Sequence, residues 1–440
     1  MHRNIPNSIP LRRHPHVLLN YCIHTRRVHS SPRNATFTSF FFHNAQWMQS
    51  NATPSPKSRS LRANIAELAH RPLVLPTASD ASASGKSALA AFKEVEKPTG
   101  IKLLKVYNQL AKSNLTILVV LTSMSGVALS PFPATIPVLL ATALGTVLCS
   151  ASANTLNQLQ EVPFDAQMAR TRMRPFVRRA ITPLHGLGFA ITTGIAGPAI
   201  LWGMTNATTA CLGLANIVLY AGGYTWLKRR SIANTWVGAV VGGIPPLMGW
   251  TACGGRLLPE TWTLESLPLF LPPFIADAAS MPVPVADLTT LDNPLAPFAF
   301  FMFLFSWQFF HFMPLSHIVR HSYAQAGYHM LAVFDQRKNA LVALRHTLLL
   351  VPVCSVLFPI SGLTTWWFAA TTLVPNAICA RGAWRFWQKG GEKEARVLFQ
   401  QSLWYLPVVM GLMMFHKQGM SWLEWLGIVD KEENINTVET

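Results

Sequence analysis

Asn157, Glu161 and Asp165 recur at four-residue steps, a spacing that on a helix stacks one amide and two carboxylates on a single face. Hard oxygen donors in that array suit Mg²⁺, which takes one or two carboxylates and fills its octahedron with water and substrate phosphate. Arg170 and Arg174, themselves four residues apart, follow just beyond Asp165, and guanidinium groups give forked hydrogen bonds to phosphate oxygens. The run Asn154–Pro175 therefore predicts a metal-assisted diphosphate site. In it Asn157, Glu161 and Asp165 face the metal, and Arg170 and Arg174 face the phosphates. Pro163 removes a backbone donor inside the array, so the helix is expected to open or kink there. An ordinary charged loop capping an apolar segment is the competing reading.

Two further runs hold polar groups near apolar sequence. Tyr224-Thr-Trp-Leu-Lys228-Arg229-Arg230 supplies cations to a leaving group, or else only anchors the chain at a membrane surface. Ser306-Trp307-Gln308-Phe-Phe310-His311 opens a stretch rich in histidine and aromatics that runs to Tyr328. His311, beside Trp307 and Gln308, is read equally as a substrate contact or as a satisfied polar residue. His317, His321 and His329 read as structural. Between these runs, Gly238, Gly242, Gly243, Pro245 and Pro246 read as close-packing positions in a helix that the prolines can break.

What must position these groups is a membrane-spanning bundle. The chain has 440 residues, half of them apolar and 12% charged, against about a quarter charged in soluble domains. Nine apolar segments follow, near 115–130, 134–153, 181–202, 207–225, 232–252, 294–313, 343–361, 364–380 and 400–416, each able to cross a hydrocarbon core of roughly 30 Å. The expected fold is all-α with about nine transmembrane helices. Alternate loops carry the basic residues: Arg170 to Arg179, Lys228 to Arg230, Arg320 with Arg337 and Lys338, and Arg381 to Arg396. Such a bias marks the side from which the chain inserts.

The net charge of +17 does not form one aromatic-interleaved patch, so nucleic acid is not an expected partner. Much of it lies in residues 1–66, which are basic, rich in Ser, Thr and Asn, and free of Asp and Glu until Glu67. That composition predicts a mitochondrial transit peptide. Residues 67–111 read as a linker with an amphipathic stretch, 112–418 as the transmembrane domain and 419–440 as a tail. The basic loops, and with them the N-terminus of the bundle, are then expected in the matrix, with the chain in the inner membrane. The six cysteines are scattered, with no CxxC pair, and read as packing residues.

At these residues the sequence resembles the heme O synthases (protoheme IX farnesyltransferases), the mitochondrial branch of the UbiA-type membrane prenyltransferases. The likeness covers roughly Lys112–Pro407. It is carried by Asn154–Pro175, by Tyr224–Trp250 with Ser-Ile-Ala-Asn-Thr-Trp-Val-Gly at 231–238, and by Ser306-Trp-Gln-Phe with His311-Phe. The resemblance implies a ring of nine helices around a central cavity. It also implies transfer of farnesyl from farnesyl diphosphate to a vinyl group of protoheme IX, with Mg²⁺ as cofactor, heme as substrate and a heme A synthase acting downstream towards cytochrome c oxidase. It assigns Asn157, Glu161 and Asp165 to the metal, and counts Asn157 and Asp165 as catalytic together with Arg170, Arg174 and Lys228, which hold the diphosphate. Lys112, Tyr224, Trp307 and His311 are expected on the substrate-binding wall. The chain departs from the family where an acidic pair should precede Tyr323, since His321 and Ser322 stand there. It departs also at Arg179, where a glycine is expected, at Trp226 and Phe310, each for a proline, and at His317, for a tryptophan. A prenyltransferase of quinone precursors and a non-catalytic heme-binding assembly protein are the alternative readings.

Overall fold

The computed structural model describes residues 99–258, 269–272, 275 and 294–420. The expected transit peptide, most of the linker, most of the loop between Gly254 and Asn293, and the tail beyond Met420 lie outside the described residues. An amphipathic helix, α1 (Gly100–Leu110), leads at a 57° bend into α2 (Ser113–Leu129). There follow α3 (Ile136–Asp165), α4 (Pro183–Met204), α5 (Ala207–Leu227), α6 (Asn234–Ala252) and α7 (Leu295–Ile318). Two short helices, α8 (Arg320–Gln325) and α9 (Leu331–Phe334), precede α10 (Gln336–Ile360), α11 (Trp367–Lys389) and α12 (Glu392–Phe415). No strand occurs among the described residues, beyond one isolated bridge between Thr364 and Lys417.

Each of the nine expected apolar segments falls on a helix. Length and hydropathy, however, qualify six helices as membrane spans, or seven when the bent pair α1 and α2 counts as one. The two that fall short do so for visible reasons: six residues of α6 are Gly or Pro, and α11 ends in Arg381, Arg385 and Lys389. Several helices also outrun the apolar segments that predicted them. α3 continues from 153 to Asp165, α7 to Ile318 and α11 to Lys389, while α10 and α12 begin at Gln336 and Glu392. Once a helix is nucleated each further residue adds one backbone bond, so the helices persist into polar sequence and carry it in a fixed orientation.

Pro163 does not open α3, contrary to expectation, and Pro245 and Pro246 do not break α6. Pro163 stands in the last turn, where few backbone bonds depend on it, and its carbonyl accepts from Gln167 Nε2 at 3.0 Å. The expected close packing around α6 is present. A Cβ on Gly249 would sit 1.9 Å from the Ser123 carbonyl oxygen, and one on Gly126 would sit 2.1 Å from that of Pro246, so α2 and α6 touch backbone to backbone.

Helices α2 to α6 pack on one another in one group and α7, α10, α11 and α12 in another. The groups join where α6 meets α7 and close where α12 meets α2. A cavity of 610 Å³ lies between them, walled by α2, α3, α5, α6, α7 and α12. The four basic loops meet at one end of this ring. Lys228 after α5 bonds Glu161 of α3, the His329 N–H after α7 donates to the Lys228 carbonyl, and Arg320 reaches Glu392 of α12 at 3.2 Å. At the opposite end Lys417 Nζ donates to the carbonyls of Ala128 and Ser130.

Candidate functional site

The polar extension of α3 forms one wall of a second cavity, of 420 Å³, at the basic end of the ring. Glu161 and Asp165 are 2% and 1% exposed and both line it. Carboxylates so deeply buried require partners, and the fold supplies them from distant segments. Lys228 Nζ donates to Glu161 Oε1 at 2.8 Å. Arg174 donates to Asp165 Oδ2 and lies 3.6 Å from Glu161 Oε2. After Asp165 the chain leaves the helix in consecutive turns, so Arg170 and Arg174 do not prolong the helical face; the turns fold Arg174 back against α3. Arg170 lines the same cavity from a more exposed position.

Asn157, one turn deeper, lines neither cavity. Its Oδ1 accepts from Lys112 Nζ at 2.9 Å, and its Nδ2 donates to Thr225 Oγ1 at 3.0 Å. Thr225 in turn donates to the Tyr220 carbonyl. Lys112 occupies the break between α1 and α2 with φ +50°, a left-handed conformation that is uncommon for a residue with a side chain. It aims its ammonium into the cavity, 3.4 Å from the Tyr220 hydroxyl.

Burial opposes the positive charge of Lys228, but the Glu161 carboxylate more than offsets it and holds the ammonium well above its ordinary value. Arg174 follows the same pattern, with burial opposed by Asp165 and Glu161. Burial, with Glu161 beside it, pushes the phenol of Tyr328 up, so Tyr328 stays a neutral hydrogen-bond donor. The Lys228 ammonium also lies over the rings of Tyr224, at 4.5 Å, and Tyr328, at 5.7 Å.

Tyr220 and Tyr224 stand at the border of the two cavities, since both tyrosines line each of them. They stack at 5.2 Å within a π-helical turn, Leu219–Tyr224, inside α5, a local widening that often accompanies functional sites. Beyond them the 610 Å³ cavity is mostly apolar. Trp307, Gln308 and His311 line it from α7. His311 stacks on Trp307 at 4.8 Å and meets Ser402 Oγ through Nδ1 at 2.8 Å, while Trp307 Nε1 donates to the Ser402 carbonyl at 3.1 Å.

The structure thus gathers Lys112, Glu161, Asp165, Arg170, Arg174, Tyr224 and Lys228 around the polar cavity, and places Trp307 and His311 in the apolar one. His317 is buried against Phe386, in keeping with a structural role. Tyr220, Thr225, Tyr328 and Ser402 are participants that sequence reasoning passed over. The Gly222-Gly223 pair and the four-residue step from Tyr220 to Tyr224 were the available signals for the first.

Two carboxylates facing a polar cavity fit one Mg²⁺, whose remaining positions water and phosphate oxygens fill. A second ion finds less. Tyr323 lines the cavity where the acidic pair should precede it, but His321 and Ser322 bring no carboxylate. Asp335, the nearest substitute in sequence, instead caps α10 by accepting from the Lys338 N–H at 2.9 Å. Among the described residues no group of three or more His, Cys, Asp or Glu converges.

A sequence profile of the UbiA prenyltransferase family matches residues 118–406. The chain is 41% identical over 381 residues to a mitochondrial protoheme IX farnesyltransferase of Neurospora crassa, covering 82% of this chain and 71% of that one. It is also 41% identical over 337 residues to the protein of the same name from Gibberella zeae, covering 74% and 62%. Among solved structures it resembles one described for digeranylgeranylglyceryl phosphate synthase, with a TM-score of 0.54 at 14% identity, covering 71% of this chain and 98% of that one. A UbiA homologue from Aeropyrum pernix gives a TM-score of 0.50 at 16% identity, covering 69% and 97%. These two likenesses speak to the fold alone.

Proposed function

Because this chain belongs to the UbiA prenyltransferase family and, within it, to the mitochondrial protoheme IX farnesyltransferases, we propose that its two joined cavities hold farnesyl diphosphate and protoheme IX and that it makes heme O. The observation that carries this reading is that a cation-rich polar cavity adjoins an apolar one, with Tyr220 and Tyr224 lining both. An amphiphile with a diphosphate head and an isoprenoid tail matches both halves.

Lys112, Arg170, Arg174 and Lys228 receive the diphosphate, and Tyr328 adds a neutral donor. Mg²⁺ held by Glu161 and Asp165 would supply further neutralisation of the leaving group. Asn157 acts one step removed, by holding Lys112. As the bond between C1 and the bridging oxygen breaks, the diphosphate departs with the electron pair into a site whose cations are already placed, which is where preorganised charge has most effect. Positive character at C1 develops beside the Tyr220 and Tyr224 rings, whose faces attract it. The vinyl π electrons of the porphyrin form the new carbon–carbon bond. The carbocation left beside the macrocycle takes up water and loses a proton, giving the hydroxyethylfarnesyl substituent. Trp307 and His311 form the wall against which the macrocycle is positioned.

Nine crossings, an inner-membrane location and a matrix-facing basic end complete the proposal. The gathered arginine and lysine loops support that orientation. To test the acceptor, purified protein is supplied with farnesyl diphosphate, Mg²⁺ and either protoheme or an aromatic acid. Prenylated heme alone is expected; product from the aromatic acid alone would move the chain to quinone-type chemistry, and no product from either would favour a heme-binding role.

A further inference from the structure

We propose that the groove between α11 and α12 at the basic end of the ring binds an anionic phospholipid of the surrounding bilayer. Arg381, Arg385 and Lys389 follow one another at four-residue steps along one face of α11, and Lys393 joins them from the first turn of α12. All four line a cavity of 440 Å³. Among the described residues Glu394 is the only acid lining it, and it lies 3.9 Å from Lys389. Arg381, Arg385 and Lys393 have no carboxylate within ion-pair distance among the described residues. Among the described residues, three cations therefore face one groove without an ion-paired carboxylate.

The groove is amphipathic along its length. Towards the middle of the bundle its walls become apolar, with Ile378 at 43% and Val397 at 44% exposure. Leu373 and Val374 continue the exposed apolar surface of α11. Trp384, 47% exposed, packs on Trp387 at 5.1 Å next to the cations, as aromatic residues do at the headgroup level. Gly382 and Gln401 form the floor: a Cβ at Gly382 would lie 2.0 Å from Gln401 Oε1, which has no hydrogen-bond partner among the described residues. A charge bias towards one membrane side calls for basic residues at this end, but not for a hollow that sets them above a lipid-facing apolar wall. A phosphodiester headgroup with its acyl chains on Ile378 and Val397 satisfies both parts. From Arg381 to Lys389 the cations extend about 12 Å along the helix, a reach that favours a headgroup with two phosphates. No residue of this groove lines either cavity of the proposed active site, so the inference stands apart from the proposed reaction.

The test is lipid retention by the purified full chain in detergent, read by native mass spectrometry. Phosphatidylcholine, cardiolipin as a lipid with two phosphates, and inorganic phosphate are added in separate arms. Cardiolipin adducts are expected on the unmodified protein, with little phosphatidylcholine and no displacement by inorganic phosphate. The double variant Arg381→Gln and Arg385→Gln should retain about tenfold less. Lys393→Gln, exposed at the start of α12, should lower retention in the same direction and decides the matter should the double variant not fold. Equal retention by the variants, equal retention of phosphatidylcholine, or displacement by inorganic phosphate would overturn the proposal, the last in favour of a free-anion site.

Discussion

Lys228 and Glu161, 67 positions apart, meet at 2.8 Å with side chains 13% and 3% exposed. This contact fastens the end of α5 to the polar extension of α3. It also leaves Glu161 charged inside the protein, opposite Arg174 at 3.6 Å. The polar cavity is thus a set of buried charges that satisfy one another, arranged along a surface open to an anion.

Removing one member exposes both roles. Lys228→Met leaves the Glu161 carboxylate buried with one cation fewer, which is expected to cost about 3 kcal/mol of stability, measured by thermal unfolding in detergent. Loss of a preorganised cation should also slow farnesyl transfer by about a hundredfold. Because the Lys228 ammonium is raised above its ordinary value, its stabilising contribution is complete below the unfolded value of about 10.4 and is lost only as pH rises through the folded value. Stability should therefore show no alkaline decline from this pair below about pH 10.

Magnesium dependence distinguishes one ion from two. With Glu161 and Asp165 as the carboxylates and His321 and Ser322 where a second acidic pair would stand, activity should rise with Mg²⁺ along a simple hyperbola. Asp165→Asn should shift that curve to higher Mg²⁺ and lower its plateau by about a hundredfold. A cooperative curve would show a second ion bound by groups not assigned to it.

Asn157 is placed to act through Lys112. Lys112→Met should raise KM for farnesyl diphosphate about tenfold with a smaller change in kcat, as expected for loss of one phosphate contact. Asn157→Ala should reproduce that pattern, and the double variant should be no worse than the single ones. Additive losses would give Asn157 a direct contact of its own.

Arg179 adopts φ +56° at a position where related sequences are expected to carry glycine. A left-handed conformation costs a residue with a Cβ about 1 kcal/mol or more, so Arg179→Gly should stabilise the protein by up to about 1 kcal/mol without altering turnover. A lowered melting temperature would mean that the Arg179 side chain makes a compensating contact.

The four-residue rhythm of Asn157, Glu161 and Asp165 was legible in the sequence because helical periodicity is local, and α3 carries it unbroken to Asp165. The apolar segments were legible for the same reason, although their ends were not. Hydropathy stops where polar residues begin, while the α3, α7 and α11 backbones continue past that point. Arg174 was expected among the phosphate ligands by spacing, yet it arrives by a series of turns that no periodicity describes. Thr225 behind Asn157, Tyr220 at the junction and Ser402 behind His311 could not be found from the sequence, because each depends on which distant helix lies alongside. The change of Asn157 from an expected metal-facing residue to one that bonds Lys112 and Thr225 has the same origin.

The most direct test is a single turnover of purified protein with farnesyl diphosphate, protoheme and Mg²⁺, with the heme product weighed by mass spectrometry. A heme gaining one farnesyl group and one hydroxyl group is predicted for the unmodified protein, with formation slowed about a hundredfold in Lys228→Met. Unchanged protoheme with the unmodified protein, or equal rates with Lys228→Met, would contradict the assignment of the polar cavity to the departing diphosphate.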